Sequence, residues 1–164
     1  FPYQYSFSYI SLGRIHYVEY SRVIILKICI VSVQWIPIIT GGGGVAVVNL
    51  AKELASRCEV HVYCFGIGSL PKEEVMRINN VHIRVRRFFT RDSDSISNPF
   101  EGTKREEISR LREFIDIVST SIDCDYFDVI HLHGHFAVPS MARKLRERGC
   151  GSRIITTIHA FESI

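Results

Sequence analysis

At 164 residues, with 46% hydrophobic and 23% charged side chains, the chain has the size and composition of one soluble globular domain with a real core. A net charge of +3 is too small to mark a nucleic-acid binder, and nucleic acid is not an expected partner. The five cysteines, Cys29, Cys58, Cys64, Cys124 and Cys150, are scattered and form no C-x-x-C pair. Neither a disulfide framework nor a zinc site is expected, and a reducing cytoplasm is the expected compartment.

Residues 1–26 are aromatic-rich and too mixed for a transmembrane helix. They lack the basic start and small-residue cleavage site of a signal peptide. They read as an N-terminal extension, non-native or disordered, with a small partner-binding arm as the alternative. The domain is expected over 27–164. "KICIVSV" (27–33) is a continuous β-branched run, the pattern of a strand buried on both faces. A glycine run follows. Then Val47, Leu50, Ala51 and Leu54 form one face of a helix, opposite Asn49, Lys52, Glu53 and Ser56. "EVHVYCF" (59–65) predicts a second strand, and "LPKEEVMR" (70–77) a turn or two of helix behind Pro71. "VHIRVRRF" (81–88) alternates strictly, which predicts a strand with one solvated face at or near a sheet edge. The polar stretch "TRDSDSISNPFEGT" (90–103) predicts a mobile or functional loop. Ile108, Leu111, Ile115, Val118 and Ile122 then recur at helical spacing. "FDVIHLH" (127–133) predicts a strand, "VPSMARKLRERG" (138–149) a helix stopped by Gly149, and "RIITTIH" (153–159) a last strand.

Strands alternating with helices imply right-handed crossovers and a mostly parallel sheet: a Rossmann-like α/β/α sandwich with expected strand order 3-2-1-4-5. Such an order places the alternating third strand at an edge. Ligands of these sheets sit outside the carboxyl ends of the strands. The glycine run and several histidines fall at those ends.

Gly41, Gly42, Gly43 and Gly44 lie between a strand and a helix, where bare backbone N–H groups and the helix N-terminus favour an anion. A flexible turn is the plain alternative. Gly41, Gly43 and Ala46 satisfy G-x-G-x-x-A, but four glycines make that match nearly automatic. The dinucleotide fingerprint also needs an acid at the end of the second strand, which here ends in Phe65 and Gly66. No Gly-Lys-Ser/Thr follows, so a P-loop is excluded. In "HLHGHF", His131, His133 and His135 alternate, yet no further ligands accompany them and no metal site is expected. His131 reads as a packed strand residue. His133 and His159 end two strands, where an imidazole can reach a cleft.

Three pieces together resemble the N-terminal domain of GT-B-fold retaining glycosyltransferases of family 4. They are "IPIITGGGGVAVVNLAKELASRCEVHVYCFG", "DVIHLHGHFAVPSMARKL" and "RIITTIHAFES", and they cover most of 27–164. The resemblance implies one half of a GT-B fold that transfers a hexose from a nucleotide-sugar donor, with retention, to a glycan, lipid-linked or small-molecule acceptor. It implies no cofactor beyond that donor. It assigns Gly41 to Gly44 to the donor diphosphate and acceptor cleft, His159 to the transferred sugar as the catalytic residue, and His133 to the acceptor side. The nucleotide-binding C-terminal domain with its Glu-x7-Glu motif has no counterpart here. The chain is therefore expected to be inactive alone and to need that domain in cis or in trans. A non-catalytic glycan- or partner-binding module and a nucleotide-cofactor oxidoreductase domain are the alternatives. "RVRRFFTR" (84–91) reads as a solvated edge strand, with peripheral contact to an anionic membrane as its alternative.

Overall fold

The computed structural model of the chain describes residues 5–11, 14–20, 25–134 and 137–158. Within the leading segment, β1 (Tyr5–Ser11) and β2 (Arg14–Tyr20) pair antiparallel, from Tyr5 opposite Tyr20 to Ser11 opposite Arg14. The expected N-terminal extension thus contains a hairpin.

The remaining elements build one six-stranded sheet. They are β3 (Lys27–Ser32), α1 (Gly42–Ala55), β4 (Glu59–Phe65), β5 (Glu73–Ile78), β6 (Val81–Phe88), α2 (Lys104–Ser121), β7 (Val129–Gly134), α3 (Ala137–Glu147) and β8 (Arg153–Ile158). The order across the sheet is β5-β6-β4-β3-β7-β8. All neighbours are parallel except β5 and β6. The five predicted strands keep their expected order.

Two expectations need correction. Residues 73–78 are not helical: they form antiparallel edge strand β5, so β6 lies one place in from the edge. The physical reason is a period of two. Glu74, Met76 and Ile78 are half-buried, while Glu73, Val75 and Arg77 are exposed. Ile78 pairs with Val81 across Asn79 and Asn80, and Asn79 takes φ 55°, a value asparagine tolerates in a two-residue hairpin turn. The second correction concerns sulfur. Cys124 and Cys150 form a disulfide, 26 residues apart in sequence with Cα atoms 5.1 Å apart. The loop after α2 and the loop after α3 both return to the amino end of the sheet, which brings the two residues together.

Each sheet face has its own core. On one face, Ile28, Ile30, Val60, Val62, Ile83 and Val85 pack beneath Val47, Val48 and Ala51 of α1. On the other, Cys29, Val31, Phe65, Ile130 and Leu132 pack against α2 and α3 through Phe114, Ile115, Val118, Met141 and Leu145. Each such aliphatic or aromatic side chain contributes about 1.5–3 kcal/mol on burial. Burial also pushes the Cys29 thiol above its ordinary range and the Cys64 thiol up to about 12. Helix α2 starts at a reciprocal cap. The Thr103 hydroxyl accepts from the Glu106 N–H at 3.4 Å, and Glu106 Oε2 accepts from the Thr103 N–H at 2.7 Å. Gly149, with φ 77°, closes the end of α3 as its position predicts. Among the described residues, no helix is long and apolar enough to cross a membrane.

Candidate functional site at the carboxyl edge of the sheet

The glycine run splits into two parts. Gly41 is extended (φ −174°, ψ −178°) and caps α1 without a side chain. Gly42 to Gly44 already form the first helical turn. The N–H groups of Gly44 and Val45 bond to the Gly41 carbonyl at 3.1 and 3.4 Å. The N–H groups of Gly42 and Gly43 point out of the helix end, where no intrahelical acceptor exists. No acid sits in this turn to neutralise the positive end of the helix. A Cβ at Gly41 or Gly42 would meet nothing within 4 Å. Gly44 is different: it is buried, and a Cβ there would lie 2.6 Å from Gln34 Oε1 and 3.1 Å from Ile39 Cγ2. A side chain at Gly44 would make Gln34 and Ile39 of the preceding loop shift. The exposed glycines leave the backbone bare, and the buried one makes room.

The loop that delivers the glycines is held from several sides. Gln34 Oε1 accepts from the Thr40 N–H at 3.1 Å, and the Ile38 N–H closes a tight turn onto the Trp35 carbonyl at 2.6 Å. Trp35 is 1% exposed, and its indole N–H meets Met76 Sδ of β5 at 3.3 Å. The Arg87 side chain, from the end of β6, donates to the carbonyls of Ile36 and Pro71 at 3.1 Å each.

His133 lies at the end of β7, in register with Ser32 of β3 and Thr157 of β8. It alternates with Ile130 and Leu132, so it shares the sheet face that α1 covers. The fold therefore brings His133 and the glycine turn to one face and one edge. His133 is 6% exposed, and its ring lies against that of His131, tilted by 42° with centroids 4.1 Å apart. His131 in turn meets Thr157 Oγ1 at 2.9 Å, which fits its reading as a packed strand residue. Among the described residues, no group of three His, Cys, Asp or Glu side chains could hold a metal ion. His159 and His135 lie outside the described residues. Glu59, the acid a ribose site would need at the carboxyl end, sits at the amino end of β4 instead. There it accepts from the Tyr126 hydroxyl at 2.6 Å and meets His61 Nε2 at 2.8 Å. The Tyr126 hydroxyl, then His61, hold its carboxyl below the usual range.

The long loop after β6 also leaves the carboxyl end of the sheet. Arg110 of α2 is 4% exposed and reaches back into that loop. It grips Asp92 through Nε at 2.8 Å and Nη2 at 2.7 Å, and donates to the carbonyls of Pro99 and Glu101. The Arg110 guanidinium holds the Asp92 carboxyl below its ordinary value. Thr90 and Ser93 close a tight turn beside it. Within 84–91, Arg87 and Phe88 are buried. Arg84, Arg86 and Arg91 lie 3.8, 3.1 and 3.7 Å from Glu59, Glu73 and Glu113. This charge pairing is what a solvated strand would show. Sequence reasoning missed Gln34, Arg87 and Arg110 as site builders. Arginine in a strand or helix reads as a solvent-facing residue, and only the fold turns these two inward.

A family model described as Glycosyltransferase Family 4 matches residues 40–163. A comparison with curated protein sequences gives no match. Among solved structures, a sucrose-phosphate synthase from Thermosynechococcus elongatus is similar with a TM-score of 0.60 and 17% identity, over 82% of this chain and 33% of that one. A second structure of that synthase gives a TM-score of 0.57 and 14% identity, over 82% of this chain and 64% of that one. An α,α-trehalose-phosphate synthase (UDP-forming) from Burkholderia xenovorans, solved in complex with glucose-6-phosphate, gives a TM-score of 0.52 and 19% identity, over 81% of this chain and 34% of that one. The chain thus spans between a third and two thirds of these relatives. At such identities the structural likeness establishes the fold, one half of a GT-B architecture. The family match extends over well more than half of the chain, from the glycine run to beyond the last strand, and the chain belongs to Glycosyltransferase Family 4.

Proposed function

We propose that this chain is the acceptor-side half of a retaining hexosyltransferase and works only with a nucleotide-binding second domain, in cis or in trans. One observation carries this reading: a helix N-terminus with bare Gly41 and Gly42 stands on the same face and edge of the sheet as His133. In this reading the Gly42 and Gly43 N–H groups and the α1 dipole face the donor diphosphate as it departs. His133 contacts the acceptor, and His159 contacts the transferred sugar. The acceptor hydroxyl attacks from the side the diphosphate leaves, and the diphosphate takes its proton. The chain's own work is then to position the acceptor and stabilise developing negative charge. The acceptor is a glycan, a sugar phosphate or a lipid-linked sugar. The Cys124–Cys150 bridge removes the ground on which the sequence pointed to a reducing cytoplasm, and peripheral membrane contact belongs with the lipid-linked case alone.

The test is reconstitution. The chain is mixed with, or fused to, a family 4 nucleotide-binding domain and supplied with uridine- and guanosine-diphosphate sugars and a panel of acceptors. Turnover is expected from the pair and not from either half. No turnover with any donor and acceptor would overturn the reading. Saturable glycan binding by the chain alone, without turnover in the pair, would establish the binding-module alternative.

A further inference from the structure

Strand β5 is the one element that the parallel order of the sheet does not require, and with the end of β6 it holds the glycine loop from outside. Arg87 at the end of β6 is the centre of these contacts. Its side chain is 2% exposed, and its Nη1 lies 2.5 Å from Glu74 Oε1 of β5. The same nitrogen donates to the Pro71 carbonyl, and Nη2 donates to the Ile36 carbonyl. A buried guanidinium is costly to desolvate and is tolerated when its donors are matched. Here its fork bridges two places, the entry to β5 and the loop just ahead of Gly41. The indole of Trp35 on Met76 ties the same loop to β5 a second time, further along the strand.

We infer that Arg87 is a positioning residue for the glycine turn: through the Ile36 carbonyl it fixes the loop whose far end places Gly41 to Gly44. The inference rests on the proposed role of that turn at the donor diphosphate. A lysine can keep the ion pair with Glu74 but cannot span both carbonyls, because it has one nitrogen where arginine has a planar fork.

Amide hydrogen exchange on the intact chain tests this without ligand or turnover. In Arg87→Lys the Thr40, Gly44 and Val45 amides are expected to exchange about tenfold faster, the loss of one charged hydrogen bond. The paired amides of β5 and β6 are expected to keep their protection. Glu74→Gln leaves the carbonyl bonds in place and is expected to leave the loop protected. Arg87→Met should loosen both regions; if it does not fold, the other two variants decide. Wild-type exchange at Thr40, Gly44 and Val45 in Arg87→Lys would overturn the inference, as would an acceleration spread evenly over β3 to β8. In the reconstituted two-domain enzyme, Arg87→Lys is expected to lower kcat/KM for the nucleotide sugar at a temperature well below its Tm, where the variant stays folded. Unchanged kcat/KM alongside a loosened loop would overturn the positioning role. Absence of turnover in the wild type would instead strike the proposed function and leave the exchange result standing.

Discussion

Gly42 and Gly44 sit in the same helical turn yet answer to different forces. Nothing would touch a methyl group at Gly42, so Gly42→Ala removes only unfolded-state freedom and is expected to stabilise the chain by up to about 0.5–1 kcal/mol. Gly44→Ala drives a methyl into Gln34 and Ile39 and is expected to cost about 1–3 kcal/mol. Urea denaturation of the two variants should therefore give midpoints on opposite sides of the wild type. Midpoints in the reverse order would mean that the turn is packed differently. The glycine run was legible in the sequence as a strand-to-helix turn suited to an anion. Its division was not, because the atom that excludes a side chain at Gly44 belongs to Gln34. That contact is made by the folding back of the loop and has no local signature. His133 was legible as a strand-end residue because alternation in "HLH" fixes its face once β7 exists.

At the scale of the element, α2 and the loop ahead of it form a unit closed by Arg110 and Asp92. The Asp92 carboxyl is held below its ordinary value of 3.8, first by the hydrogen bond from Arg110 and then by the Thr90 hydroxyl and the Arg110 charge. A lowered folded-state value means that this carboxylate stabilises the fold above its ordinary value. The contribution fades as pH falls through the lower folded value. Denaturation midpoints measured from about pH 5 down to about pH 3 are expected to drop less steeply in Asp92→Asn than in the wild type. Equal slopes would show that the pair forms in the unfolded chain as well, or not at all. The loop was read from the sequence as mobile or functional because it is polar and long. Its order comes from its own turn bonds, such as Thr90–Ser93 and Ser97–Glu101, and from the buried guanidinium that the following helix contributes. Strand β5 was misread for a related reason. Pro71 suggests a helix start, whereas the deciding features are the alternation of Glu74, Met76 and Ile78 and the Asn79–Asn80 turn. The turn signal was present, and the helix cue outweighed it.

At the scale of the whole molecule, the order of the parallel strands followed from the Rossmann-like arrangement that alternating strands and helices suggest. Strand–helix–strand units of this length close right-handed, and few arrangements satisfy that rule. The pairing of Cys124 with Cys150 did not follow, since residues 26 apart meet only after β7 and α3 are in place. The bridge closes a loop that includes that strand and helix. Reduction, or Cys124→Ser, is expected to lower unfolding stability by about 2–4 kcal/mol. Denaturation with and without dithiothreitol measures this, and an unchanged midpoint would mean that the cysteines are thiols in the purified protein.

Strand β8 has β7 on one side and, among the described residues, no strand on the other. It also exposes Ile155 (48%) and Ile158 (39%). A row of open backbone donors and acceptors beside two bare isoleucines is a template on which another strand can add. For the isolated half, the consequence is colloidal. Concentrated chains meet one another at that border before they meet a second domain, so complementation between separated halves is best attempted in dilute solution, with the partner in excess from the start.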